Sequence, residues 1–351
     1  MRLGPIRIVG AGVAGLSTAI ALARRGIRSE VFERRPASAA RRPLRWDAIE
    51  NWTTAVDLRV LLARSEIDNS PFHAPPTVEV RAFDGEPHQL HSDRPLLYVV
   101  RRGDAPGGLE ATLVQQALDL GVSIHRGTTL APEAADVWAT GTARRGFFLD
   151  VGLTFRTDLS DQLVILVNQK LTPKACGYLI VGDGTATLAV LLTRAFKDAR
   201  RLLADTVAAF QRLRPFAIHD ARLRSGFGGS PAAFGLRGTG PLHVGEAAGF
   251  LDYLWGFGIR HALSSGVLAA DAICEEGDYA QLVARELSPL VQASLINRRL
   301  YDWAGNRTCR ALVRYFCTQR DPHALLQRSY RSRRLRALCW PWVQPLLARP
   351  A

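Results

Sequence analysis

The sequence predicts an α/β protein. It should hold a doubly wound parallel sheet built from separated segments, a smaller and mostly antiparallel sheet domain interleaved with it, and a C-terminal helical region. Three observations predict this. A strand, a glycine-rich turn, a helix and a second strand fill the first thirty-odd residues. A meander of short strands divided by turn residues occupies the middle of the chain, and nearly everything beyond residue 259 has helical periodicity.

In chain order, residues 6–10 form a short buried strand, 13–25 a helix closed by Gly26, and 28–33 a second strand. The Pro/Ala/Arg-rich stretch 34–45 reads as a surface excursion, and 46–65 as helix and loop. Strands are expected at 78–83, 88–91 and 98–101, then a Gly/Pro loop at 103–108 and a helix at 109–120. Residues 122–126 and 135–139 return to the first sheet. The meander follows at 147–155, 162–168, 178–182 and 187–192, with a helix at 198–213 and an extended stretch at 217–226. Residues 235–248 lead back to the first domain. Segments 1–45, 95–145 and 235–280 therefore form the parallel-sheet domain, 46–94 and 146–234 the smaller domain, and 281–351 the helical region.

At 351 residues and 47% hydrophobic, the chain is long enough for two cores. No signal peptide and no run of eighteen apolar residues is expected. Five scattered cysteines without a CxxC fit a reduced cytoplasm and no metal cage. The net charge of +13 is uneven: from Arg285 onward thirteen arginines face three acids, so that stretch alone carries +10. No recognised reading module accompanies the charge, which argues against nucleic acid. Arg331, Arg333, Arg334 and Arg336 alternate with Leu335, Leu338, Trp340, Trp342, Leu346 and Leu347. Such a tail either packs across the smaller domain or makes peripheral membrane contact.

Gly10-Ala-Gly12-Val13-Ala14-Gly15 is a G-x-G-x-x-G fingerprint between a strand and a helix. Gly10 permits the tight turn, Gly12 lets a diphosphate approach the backbone, and Gly15 lets helix and strand pack closely. The helix amides then face the phosphates. Glu33 closes the second strand eighteen residues after Gly15, where a carboxylate can accept both hydroxyls of an adenosine ribose. Arg34 beside it lies over the adenine or in solvent. This is a Rossmann-like βαβ unit.

A second glycine-bearing stretch runs from Gly245 to Gly266, with Gly245-Glu246-Ala-Ala-Gly at its start and Gly256-Phe-Gly258-Ile259 opening a helix. Beside the N-terminal fingerprint, it resembles the large flavoprotein family that contains geranylgeranyl reductases and aromatic hydroxylases, whose pattern is G-D-A-A-G, G-x-G-I/M, A, S-G. Glu246 stands where that family usually has Asp. The resemblance implies FAD, with Glu246 on the ribityl chain and the amides of Gly258 and Ile259 at the N1/O2 edge of the ring. A helix N-terminus there suits the negative charge that a hydride arriving at N5 leaves behind.

Two further stretches extend the resemblance. Ala139-Thr140-Gly141 matches a turn that closes over the diphosphate, and Arg102, ending the strand before the helix at 109, matches an arginine on flavin phosphate or ribityl oxygens. The D-G-x-x-S-x-V-R run of the simple hydroxylases is missing; this chain has Gly141-Thr-Ala-Arg-Arg. Cys176-Gly-Tyr178-Leu-Ile resembles a strand of the geranylgeranyl reductases without its proline. Tyr178, Trp255 and His261 are the candidates for the substrate cavity. Trp340-Pro-Trp342 lies too far toward the C-terminus to be the halogenase signature it resembles. His219, His243 and His261 are scattered and form no metal set.

No second G-x-G-x-x-G is present, so NAD(P)H would visit only transiently as reductant. The expected function is an FAD-dependent oxidoreductase moving hydride between flavin and an apolar, aromatic or isoprenoid small molecule. An NAD(P)H-dependent monooxygenase and a non-catalytic flavin-binding protein are the alternatives. No proton donor or base is named by the sequence.

Overall fold

The computed structural model describes residues 4–39, 42–82, 86–142, 146–234 and 240–344. The expected strand end at 83, the Arg-Arg pair of the 141–145 run, the stretch 235–239 and tail residues 345–351, with Leu346 and Leu347, lie outside the described residues.

The first sheet is wholly parallel and five-stranded. Its order is Leu242–His243, Val137–Trp138, Ile6–Val9, Ser29–Glu33, Ser123–Arg126. The helix Val13–Arg24 is buried along almost its whole length because it is sandwiched between this sheet and the helices Leu109–Asp119 and Ile259–Cys274. An all-round apolar sequence (VAGLSTAIALAR) is what such a central helix requires.

The second sheet has seven strands in the order His219–Gly228, Phe148–Arg156, Thr185–Leu192, Gly177–Gly182, Gln162–Val167, Val78–Ala82, His88–Gln89. It is antiparallel except where Gln162–Val167 runs parallel to Val78–Ala82. Its period-two alternation sorts the faces. Leu149, Val151, Leu179, Val181, Leu188 and Val190 pack on the helix Ala199–Leu213, while Phe148, Asp150, Tyr178, Ile180 and Leu191 line a cavity on the opposite face.

One expectation is corrected. The stretch 46–65, expected as helix and loop, instead begins in a strand, Arg45–Glu50, and its helix is Leu58–Arg64. The strand pairs with Leu97–Arg102, which also pairs with Phe72–His73, in a three-stranded sheet. Its segment RWDAIE buries Trp46, Ile49 and Glu50 on different sides, so no alternation marks it. Ile49, Leu58, Leu62, Ile67 and Phe72 join the core around Val13–Arg24, which carries the first domain's core into the 46–94 segment.

Beyond the helix Ile259–Cys274, the described residues form five more helices: Tyr279–Glu286, Ser288–Trp303, Asn306–Cys317, Pro322–Arg331 and Arg333–Val343. Among the described residues no helix is long and apolar enough to cross a membrane.

Candidate functional site

The fingerprint turn is shaped by contacts that exclude side chains. Gly10 has φ +109°, and a Cβ on it would lie 2.4 Å from the Ala139 carbonyl oxygen. A Cβ on Gly15 would lie 2.0 Å from the Gly10 oxygen. Gly12 differs: a Cβ there would meet nothing within 4 Å. It caps the helix Val13–Arg24 with no side-chain bond and, with Val13 and Ala14, faces the cavity. The first-turn amides of that helix have no intrahelical acceptor. Open space in front of bare amides is what a diphosphate needs.

Glu33 accepts from the Ala11 amide at 2.9 Å and from the Arg35 amide at 2.9 Å, which ties the end of the second strand to the fingerprint loop. Arg34 is exposed. Neither Glu33 nor Arg34 is part of the cavity wall. Thr140 is exposed, whereas Gly141, at φ +75°, lines the cavity beside the fingerprint.

The second glycine segment reaches the same cavity. Gly245 (φ +61°) donates to the Ser265 Oγ at 2.9 Å, and a Cβ on it would lie 2.9 Å from the Ala14 Cβ. Glu246 lines the cavity; its carboxylate accepts from the Thr142 hydroxyl and from the Gly229 amide at 3.2 Å. Gly256, Gly258 and Ile259 all face the cavity, with Gly258 capping the helix Ile259–Cys274. Two helix N-termini therefore open on one cavity of about 1000 Å³.

The loop that presents Trp255 to Phe257 is organised by Asp252, which sequence reasoning missed. Its Oδ1 accepts from the amides of Leu254 (2.9 Å) and Trp255 (2.8 Å), and its Oδ2 accepts from the Tyr330 hydroxyl. A carboxylate bonding amides two and three residues onward is the available sequence signal. Burial lifts the Asp252 carboxyl to about 6 against the bonds from Tyr330 and the two amides.

Arg102 lines the cavity and is held by Glu110, with Nε donating at 2.7 Å, and by Asp47 at 3.6 Å. Burial would lower the arginine's pKa, but these two carboxylates more than offset it and raise it. Glu110, buried beneath, would be raised by burial, yet the Arg102 charge and hydrogen bond hold it at about 2.

Tyr178 and Trp255 line the cavity. His261 does not. It is 2% exposed, behind the first turn of its helix, with Nδ1 3.6 Å from the Glu50 Oε1. Burial, then Asp252, push the Glu50 carboxyl up to about 8 despite the opposing Arg260 charge; burial and Arg260 push the His261 imidazole down to about 3. These shifts favour the uncharged form of both groups, and at 2% exposure His261 is a core residue of the helix. Its neighbours Ile259 and Ala262 face the cavity instead.

The rest of the wall is largely apolar, with Trp52, Leu96, Leu163, Ile165 and Phe316 prominent. Asp150 and Arg224, unremarked in the sequence, stand out in it as charged groups bonded to Tyr178. Among the described residues no cluster of His, Cys, Asp or Glu could hold a metal ion.

Fold and cradle together define an α/β protein with a discontinuous Rossmann-like domain. A family model described as an NAD(P)-binding Rossmann-like domain matches residues 8–41. No curated protein sequence matches the chain. Solved structures do: a geranylgeranyl bacteriochlorophyll reductase-like protein from Thermoplasma acidophilum is similar over 96% of this chain and 98% of its own, at 15% identity and TM-score 0.70. A flavin-dependent halogenase is similar over 98% and 78%, at 14% identity and TM-score 0.58. The tetrameric form of 2-methyl-3-hydroxypyridine-5-carboxylic acid oxygenase is similar over 94% and 97%, at 18% identity and TM-score 0.53. At these identities the likeness is one of fold.

Proposed function

We propose that this protein is an FAD-dependent oxidoreductase, of the geranylgeranyl-reductase-like type, which moves hydride between flavin N5 and a largely apolar organic substrate. The observation that carries the reading is the convergence of two bare helix N-termini, at Gly12 and Gly258, on a single cavity. Flavin-dependent proteins among the structural neighbours support it. When bound, the flavin supplies the hydride chemistry. The chain's own residues do the rest. The amides after Gly12 would hold the diphosphate, Glu246 would meet the ribityl chain, and Arg102 would meet phosphate or ribityl oxygens. The amides at Gly258 and Ile259 favour negative charge at the N1/O2 edge. The apolar wall around Trp52, Leu163 and Trp255 excludes water and receives the substrate.

The test is direct. Gly12→Leu projects into open space, so the fold should persist by circular dichroism while FAD affinity falls by roughly a hundredfold or more, about 3 kcal/mol. Wild-type FAD retention by this variant would sink the phosphate-site assignment, and a wild-type protein that ignores FAD would sink the whole reading.

The likeness to an oxygenase fold supports a second reading, an NAD(P)H-dependent monooxygenase. Anaerobic mixing separates the two. Flavin bleached by a substrate without oxygen indicates a dehydrogenase, whereas substrate-stimulated oxygen consumption with NAD(P)H indicates a monooxygenase.

The C-terminal helices expose Trp303 (73%), Leu338 (74%) and Trp342 (82%). Together with the +10 charge of this region, these side chains support peripheral contact with an anionic membrane surface.

A further inference from the structure

The seven-stranded sheet carries one register row that reads Arg224, Gly152, Ala189, Tyr178 across four neighbouring strands. Residues directly opposite on antiparallel strands project from the same face, which here is the cavity face. The two residues in the middle of the row are small, and a Cβ on Gly152 would stand 2.5 Å from the Ala189 Cβ. The long side chains at the ends can therefore meet above them. The Arg224 Nη2 donates to the Tyr178 hydroxyl oxygen at 2.6 Å, and its Nη1 donates to Asp150, two residues before Gly152 on the same face.

This arrangement fixes how the Tyr178 hydroxyl can bond. Its oxygen is firmly occupied as an acceptor by Arg224. As a donor it is poorly used: it lies 3.2 Å from each Asp150 oxygen, a split contact longer than the usual O–H···O bond. Arg224 is already neutralised by Asp150. Among the described residues its buried Nε has no acceptor. An ion pair partly open to a largely apolar cavity, with one guanidinium nitrogen left without an acceptor, points to a polar group on a ligand.

We propose that the Tyr178 hydroxyl, oriented by Arg224 and Asp150, is the hydrogen-bond donor for an uncharged carbonyl oxygen of the substrate, so that the substrate is an apolar aldehyde or ketone. The Arg224–Asp150 pair beside the hydroxyl carries no net charge, so an uncharged acceptor fits it, whereas a carboxylate or phosphate would add a charge that the pair does not balance. Arg224 and Asp150 act as positioning residues. This deepens the oxidoreductase reading and rests on it, because the cavity must be a substrate site.

The test uses FAD-loaded protein and three ligands with one ten-carbon skeleton: citral, an aldehyde; geranate, its carboxylate; and 2,6-dimethylocta-2,6-diene, the hydrocarbon. Affinities are measured by equilibrium dialysis, and flavin content by visible absorbance in the same samples. Tyr178→Phe should weaken citral about five- to tenfold and leave the hydrocarbon unchanged. Asp150→Asn should improve geranate about tenfold relative to citral. The proposal is overturned if Tyr178→Phe holds citral as tightly as wild type or weakens all three ligands equally. It is also overturned if Asp150→Asn leaves geranate's relative affinity unchanged, or if wild type binds no citral. In each of these cases a protein that retains FAD keeps the broader reading intact, whereas loss of FAD from wild type counts against that reading first.

Discussion

Gly266 stands so close to Ser17 that a Cβ built on it would lie 2.1 Å from the Ser17 Oγ and 2.5 Å from the Ala14 carbonyl oxygen. The helices Val13–Arg24 and Ile259–Cys274 therefore cross at backbone contact, which is why their N-termini can share one cavity. Alanine in a helix interior ordinarily gains about 1 kcal/mol over glycine. Here the sign should reverse: Gly266→Ala should lose about 1–3 kcal/mol through overpacking, read as a lower urea midpoint. A stabilised Gly266→Ala protein would mean that the crossing is looser than described.

Neighbouring arginines should respond differently to removal. Arg102 neutralises Glu110, whose side chain is 3% exposed, so Arg102→Ala leaves a buried carboxylate unpaired and should cost about 3–5 kcal/mol. Arg101 pairs with the exposed Asp183 and stacks on Trp46 at 4.9 Å. Arg101→Ala should cost no more than about 1 kcal/mol. Chemical denaturation of both variants checks the contrast, and equal losses would contradict it.

The Glu50–His261 pair makes a pH prediction. Glu50 moves from its ordinary 4.5 up to about 8, so its contribution to stability is complete below 4.5 and is lost as pH rises through about 8. His261 moves from 6.5 down to about 3; its contribution is complete above 6.5 and is lost as pH falls through about 3. Between 4.5 and 6.5 the two slopes oppose and cancel. From 6.5 to 8 only Glu50 acts, at up to about 1.4 kcal/mol per pH unit. Glu50→Gln should flatten that alkaline decline in urea titrations at a series of pH values. An unchanged slope would assign the decline to other groups.

Membrane contact is tested by sedimentation with phosphatidylglycerol vesicles. Replacing Trp303, Leu338 and Trp342 together by serine should weaken binding roughly tenfold or more, and high salt should weaken it further. Binding that depends on salt but not on these three side chains would indicate adsorption by arginines alone.

The nucleotide end of the site was legible because local chemistry dictates it: a tight turn, a bare helix start and a strand-end carboxylate lie within one short stretch of chain. The resemblance pointed to Tyr178, and both it and Trp255 stand in the cavity wall. His261 was misplaced, because on a helix each residue turns about 100° from the last; with Ile259 and Ala262 on the cavity, the histidine rotates into the core. Asp150 and Arg224 gave no signal, since their meaning lies in the pairing of Gly152 with both Ala189 and Arg224. Pairing between strands distant in sequence is not written in either strand alone. Asp252 could have been found from its spacing to Trp255. The strand Arg45–Glu50 could not, because a buried Glu50 breaks the alternation that reveals strands.

The order of the parallel sheet has a consequence for synthesis. Its central strand, Ile6–Val9, leaves the ribosome first, yet the edge strand Leu242–His243 emerges only after the whole seven-stranded sheet between them has been translated. The nascent chain must hold an incomplete sheet, with the Val137–Trp138 edge uncovered, while the second domain folds. A ribosome-stalled chain ending before residue 242 should therefore be protease-sensitive in its first forty residues, and one extended past the helix Ile259–Cys274 should not.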